Sequence, residues 1–178
     1  MPLYRFEGKM PQIAEGTFVH PEAVLIGDVV IEEGCYIGAG ACLRGDWHPI
    51  YVGPKSNVQE NAVLHGDCVL GPESHIGHGA LLHGCTLKHH VYVGMGAMIM
   101  NRVVIGDGCV LGTGTLITQD IEIPAGKLVV GVPGKIVGDV PEKLAEWTVW
   151  ATSTYQALPA RYLAGFERVE LSECLIGK

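Results

Sequence analysis

Charged side chains are scarce in this 178-residue chain, 17% of the total against roughly 25% in an average domain. Aromatic residues are scarcer still, at 7%. The balance of 12 Lys+Arg against 19 Asp+Glu is acidic, and no basic run interrupts it, which argues against a nucleic-acid groove. No apolar stretch approaches the roughly 20 residues of a membrane span, and the opening MPLYRFEGKM carries charge where a signal peptide needs its apolar segment. A cytoplasmic protein with no membrane partner is expected. The six cysteines (Cys35, Cys42, Cys68, Cys85, Cys109, Cys174) contain no CxxC pair, which suits neither a disulfide scaffold nor a cysteine zinc knuckle. Glycine, by contrast, is abundant at 25 residues, and the 48% hydrophobic content is mostly aliphatic. Disorder is excluded, and a repetitive, turn-rich chain is indicated.

The aliphatic residues recur every six positions. They fall at Val19, Leu25, Ile31, Ile37 and Leu43, then at Val52, Val58, Leu64, Leu70, Ile76 and Leu82, and after a slip of one at Leu87, Val93, Ile99, Ile105, Leu111, Ile117, Ile123 and Val129. Six residues of helix rotate to the opposite face, so this period argues against helix. Short strands and tight turns fit, as in a parallel β-helix where each hexad is one side of a triangular prism and three hexads complete a coil. Nineteen hexads predict about six coils, stacked at the strand spacing of about 4.8 Å. The fifth place of each hexad is small or β-branched, which predicts that Ala41, Cys68, Ala80, Thr86 and Ala97 point inward while Cys85 lies elsewhere. Trp47, His48 and Pro49 interrupt the repeat and predict a loop. The solenoid is expected over residues 1–137. Residues 138–178 should form a helical segment, with one helix over Pro141–Ala157, Pro159 as a break, and a second around Arg161–Phe166.

Position within the repeat also sorts the eight histidines. His65 and His83 each follow the aliphatic residue of a hexad and stand three hexads apart, so they stack in one column. Allowing for the inserted Trp47, His48 and Pro49, Arg44 joins them. Two imidazoles on adjacent coils, with backbones about 4.8 Å apart, can converge on a metal at the Zn–N distance of roughly 2.0–2.1 Å. His78 is the best third ligand, yet it lies around a corner of the prism, so in a cyclic trimer a second chain would supply it. Glu60 precedes His78 by one full coil and Gln59 adjoins it, placing polar groups near such a metal. His20, His75, His89 and His90 are expected at the surface.

The residues Arg44-Gly45-Asp46, Ser56-Asn57-Val58-Gln59-Glu60, Leu64-His65 and the run IGHGALLHGCTL from Ile76 to Leu87 resemble the γ-class carbonic anhydrase family. The opening PLYRFEG, the segment FVHPEAVLIGDV and a helix containing Trp147 and Tyr155 look closest to its phenylacetate-degradation and carnitine-operon branch. The resemblance spans roughly residues 10–140. It implies a left-handed β-helix and a homotrimer, with zinc, or iron or cobalt, held by His65 and His83 of one chain and His78 of the next. It further implies an Arg44–Asp46 ion pair near the interface, and contact of Gln59 and the adjacent acid with metal-bound solvent. Three departures stand out. Glu60 replaces an aspartate, Trp47 replaces a glutamate, and GDCVLGPESHIG lacks the long acidic loop that carries the proton shuttle in the best-known members; His48 is the substitute candidate.

The reading these residues lead to is a zinc-dependent lyase, a carbonic anhydrase-like enzyme in which metal-activated water attacks CO2 to give bicarbonate. Gln59, Glu60, Arg44 and Asp46 would serve as its catalytic residues. The alternatives are an acyl-CoA thioesterase on the same metal site, a metal-free hexapeptide acyltransferase with a histidine base, and a noncatalytic metal-binding or assembly subunit.

Overall fold

The computed structural model describes residues 2–176. Its hexads form a parallel β-helix. One side of the prism is a ladder of seven parallel strands, from Phe18–Val19 through Tyr36–Ile37, Asn57–Val58, His75–Ile76, Tyr92–Val93 and Val110–Leu111 to Lys127–Val130. This side has seven levels where about six coils were expected, because the hexad series both begins and ends on it, at Val19 and Val129. The other two sides share one sheet, since the strands Val24–Ile31 and Cys42–Val52 are long enough to run around a corner.

The aliphatic positions form the interior. Leu25, Ile37, Leu43, Leu64, Leu70, Ile76, Leu82, Ile99 and Ile105 are all fully buried. Ala41, Cys68, Ala80 and Ala97 point inward as expected. Thr86 and Cys85 do not follow the expectation. The one-residue slip falls between Leu82 and Leu87, so Cys85 takes the inward place, buried, and Thr86 turns partly outward. The insertion is not a separate loop either. Trp47, His48 and Pro49 are exposed but lie inside the strand Cys42–Val52, as a bulge that shifts its register against Val24–Ile31.

After the last coil, Lys135–Asp139 turns back antiparallel onto Lys127–Val130, so strand structure runs two residues past the expected boundary at 137. The pairing gives the last ladder strand a partner and blunts an open edge. Helices α1 (Glu142–Gln156), α2 (Leu158–Gly165) and α3 (Leu171–Cys174) follow, the first two close to the expected limits, with Pro159 in the first turn of α2. These two helices lie along the flank of the seven-stranded side and cover its outward column Phe18, Tyr36, Asn57, His75 and Tyr92, which is in register from coil to coil. Aromatic contacts bind them there: Phe18 meets Tyr162 at 4.7 Å between centroids, Tyr36 meets Tyr155 at 5.7 Å, and Tyr92 meets Trp147 at 5.3 Å. Among the described residues no helix is long and apolar enough to cross a membrane.

Candidate functional site

The column Arg44, His65 and His83 exists as the coil length requires. Arg44 pairs with His65 and His65 with His83 in the parallel ladder. Each histidine ends its strand, and a glycine in the left-handed region follows at once, Gly66 at φ 75° and Gly84 at φ 62°. At Gly84 a β-carbon would approach Asn101 Oδ1 to 2.5 Å, so the turn and the histidine's neighbour are set together.

The hydrogen bonds fix the ring orientations. Arg44 Nη1 donates to Asp46 Oδ2 at 2.8 Å, and His65 Nε2 donates to Asp46 Oδ1 at 3.1 Å. Partial desolvation acts to raise the Asp46 carboxyl, but the bonds from His65, Arg44 and the Trp47 amide outweigh it and hold the group below the usual carboxylate range. His83 Nδ1 donates to Asn101 Oδ1 at 2.7 Å. That leaves His65 Nδ1 and His83 Nε2 as acceptors 3.0 Å apart. Two imidazole lone pairs facing at this distance suit a cation between them. Arg44 Nη2, 3.3 Å from His65 Nδ1, puts positive charge beside them. The pair opens on a groove of about 440 Å³ whose walls include Trp47, His48, Asp67, Asn101 and Arg102.

His78 stands apart. It follows the strand His75–Ile76 of the seven-stranded side, whereas His65 and His83 belong to the other sheet. Its Nδ1 donates to Glu60 Oε2 at 2.6 Å, and Glu60 Oε1 accepts from the Tyr36 hydroxyl at 2.8 Å. The Tyr155 hydroxyl of α1 lies 3.4 Å from His78 Nε2. Burial and then the Glu60 charge push the Tyr155 phenol up to about 12, so it keeps its proton. Glu60 therefore orients His78 within its own chain. Gln59 is buried, with its amide 2.7 Å from His75 Nε2 and 3.0 Å from Asn57 Oδ1. It serves this buried network in the chain as it stands.

His75 is a plain correction. Expected at the surface, it is buried under α1, stacked on Tyr92 at 4.2 Å and met edge-on by Tyr155 at 5.2 Å. It does point away from the prism, but a helix covers it. His20 and His90 are partly buried and His89 is exposed. Of the residues that sequence reasoning passed over, Asn101 was hidden by the one-residue slip: the register Leu82 to Ile99 sets Met100 level with His83, and Asn101 stands one place further along, beside Gly84. Tyr36 and Tyr155 were out of reach, because the flank on which α1 would lie has no periodic signal.

The fold and the paired histidine clusters define a hexapeptide-repeat protein with a polar site on the side of its prism. Segments 10–45 and 84–119 match the family model described as bacterial transferase hexapeptide (six repeats). The carnitine operon protein CaiE of Salmonella agona is 36% identical over 96% of this chain and 88% of its own length, and that of Escherichia coli (strain K12) is 38% identical over 90% and 84%. Among solved structures, a hexapeptide transferase family protein from Anaplasma phagocytophilum superposes with a TM-score of 0.88 at 36% identity, covering 90% of this chain and 98% of its own. A Bacillus cereus "putative acetyltransferase" gives 0.85 at 28% identity, with coverages of 91% and 96%. The chain belongs to the hexapeptide-repeat transferase family, and the left-handed β-helix expected of it agrees with these superpositions.

The expectation of a zinc-dependent lyase is corrected by these findings. The two solved relatives are described as transferase and acetyltransferase, not as lyases. Among the described residues of one chain, moreover, no group of three or more His, Cys, Asp or Glu side chains is disposed to hold a metal. The physical reason lies in the topology, which separates His78 from the His65/His83 pair and ties it to Glu60.

Proposed function

We propose that this chain acts on acyl-CoA thioesters and transfers the acyl group to a small hydroxyl or amine acceptor. The observation that carries the reading is the Glu60–His78 pair at 2.6 Å. A carboxylate that accepts a hydrogen bond from Nδ1–H fixes the tautomer and leaves Nε2 as a base, the arrangement that acyl-transfer catalysts use. The acceptor's proton passes to His78 Nε2 as its oxygen or nitrogen bonds to the thioester carbonyl carbon. The carbon–sulfur bond breaks, and the departing CoA thiolate takes the proton from His78. The Tyr155 hydroxyl, protonated and 3.4 Å from the base, is a donor for the developing oxyanion. An acyl-CoA substrate suits the cytoplasmic location expected from the sequence.

The site lies between copies in this reading, in a homotrimer. Val63, Leu81 and Met98 form an outward apolar stripe on the same sheet as His65 and His83, and a second copy bringing its His78 to that side would cover it. The converging nitrogens of His65 and His83, 3.0 Å apart, favour a second reading. Zinc, or iron or cobalt, fits this donor set if His78 of a partner subunit completes it. When bound there, the ion would supply Lewis-acid polarisation of a thioester carbonyl and support a thioesterase. Asp46 and Asn101 then orient its two ligands.

Release of free CoA thiol from acetyl- and longer acyl-CoA, with and without amines and alcohols, tests the function. Turnover that rises with acceptor and is lost in His78→Ala supports transfer; absence of thiol release from every thioester overturns it. Metal content of the purified protein, with activity before and after chelation, separates the second reading from the first.

A further inference from the structure

A second cavity, of about 260 Å³, lies between α1 and the seven-stranded side. Its walls include Tyr92 and Met95 from the coils, Trp147 and Trp150 from α1, and also His78 and Tyr155. A volume below the roughly 300–1,000 Å³ of whole-ligand sites suits part of a ligand. Trp147, Trp150 and Met95 are 46%, 62% and 50% exposed, so their apolar surface is open to an incoming group. The groove beside His65 and His83 is different in kind, with Asp67, Asn101 and Arg102 among its walls. The two sites meet the two halves of a thioester: an apolar acyl chain and a polar carrier.

We propose that the cavity bounded by Met95, Trp147 and Trp150 receives the acyl group of the thioester and selects apolar acyl groups larger than acetyl. The inference rests on the reading that the chain acts on acyl-CoA. The position of His78 supports it, because a base on the cavity wall places the thioester carbonyl at the cavity and leaves the acyl tail to fill the space among the indoles. Acetyl leaves that space to water, whereas each methylene buried there favours binding by about fourfold at most.

Calorimetric binding of CoA, acetyl-CoA and hexanoyl-CoA to the intact protein tests the proposal. Hexanoyl-CoA is expected to bind at least about tenfold more tightly than acetyl-CoA. In Met95→Ala/Trp150→Ala that preference should fall below about threefold with acetyl-CoA affinity unchanged, and because both side chains are at least half exposed the melting temperature should hold. A filling variant, Met95→Trp, should also lose the preference while keeping acetyl-CoA. Equal affinities in the wild type, or a preference that survives all these changes, overturn the acyl pocket. Thiol release measured in parallel separates the two ideas. Preferential binding without release of CoA leaves the pocket standing and removes acyl transfer, whereas release from acetyl- and hexanoyl-CoA at equal affinity leaves acyl transfer and removes the pocket. Failure of every CoA compound to bind overturns both.

Discussion

His75 stacks on Tyr92 at 4.2 Å between ring centroids, in a column that faces away from the interior of the prism. Burial beneath α1, with the nearby His78 and His90 adding to it, pushes the imidazole down to about 3. It is neutral across the physiological range. In the unfolded chain the same group titrates near 6.5, so below that pH the unfolded state binds a proton that the folded state refuses. Stability from this group is therefore present above about pH 6.5 and lost as pH falls toward 3, at up to about 1.4 kcal/mol per pH unit. Denaturant unfolding at pH 7.5 and pH 5 should show this slope in the wild type and a shallower one in His75→Gln. Equal slopes would mean that His75 is solvated.

The two sides of the molecule differ in how much the sequence discloses. The interior repeats with the backbone, so Leu64, Leu82 and Ile99 identify their own places, and the Arg44, His65 and His83 column follows from the coil length once the insertion of Trp47, His48 and Pro49 is allowed for. The slip near Cys85 is visible in the sequence but its exact place is not, because Cys85 and Thr86 are both small enough for an inward position. What a helix will cover has no such periodicity. Asn57, His75 and Tyr92 occupy outward positions that only α1 turns into a core, and Tyr36, Glu60, His78 and Tyr155 meet from distant parts of the chain. Glu60, read as a neighbour of metal-bound solvent, holds His78 from one coil away within the chain.

Packing inside the prism is tight enough to punish one added side chain. Ala80 is 1% exposed within the main core cluster, between coils whose spacing the strand ladder fixes. Ala80→Leu should destabilise the protein by about 1–3 kcal/mol through overpacking. A melting temperature equal to that of the wild type would show a void at this level.

Gly84 carries both a backbone and a contact constraint. At φ 62° a side chain of L configuration costs about 1–2 kcal/mol, and its β-carbon would also press on Asn101, the partner of His83. Gly114, at φ 69° with nothing within 4 Å, bears only the first. Gly84→Ala should therefore cost more stability than Gly114→Ala, and it alone should lower acyl-CoA turnover. Equal losses of stability with unchanged turnover in both would detach Asn101 from the site.

The function of Glu60 is open to a charge-removing test. Glu60→Gln keeps the length of the side chain and the Tyr36 contact, but an amide no longer holds the proton of His78 Nδ1 as a carboxylate does. Loss of an oriented base is expected to lower kcat for CoA release by about 10²–10⁴-fold, with the melting temperature and hexanoyl-CoA affinity nearly unchanged. Near-normal kcat in this variant would assign the base to another group.

The separation of His78 from His65 and His83 gives the proposed shared site its decisive test. His78 lies on the seven-stranded side with Glu60, and the other two lie on a different sheet with Asp46 and Asn101. A monomer cannot unite them without unmaking a coil, whereas two chains can, each offering a different side. Neither His78→Ala chains nor chains carrying both His65→Ala and His83→Ala should turn over acyl-CoA alone. Mixed after subunit exchange, they should regenerate some complete sites at interfaces where an intact His78 faces an intact His65/His83 pair, with activity a fraction of wild type set by the statistics of mixing. Exchange demonstrated by a mass tag without recovery of activity would confine the chemistry to one chain.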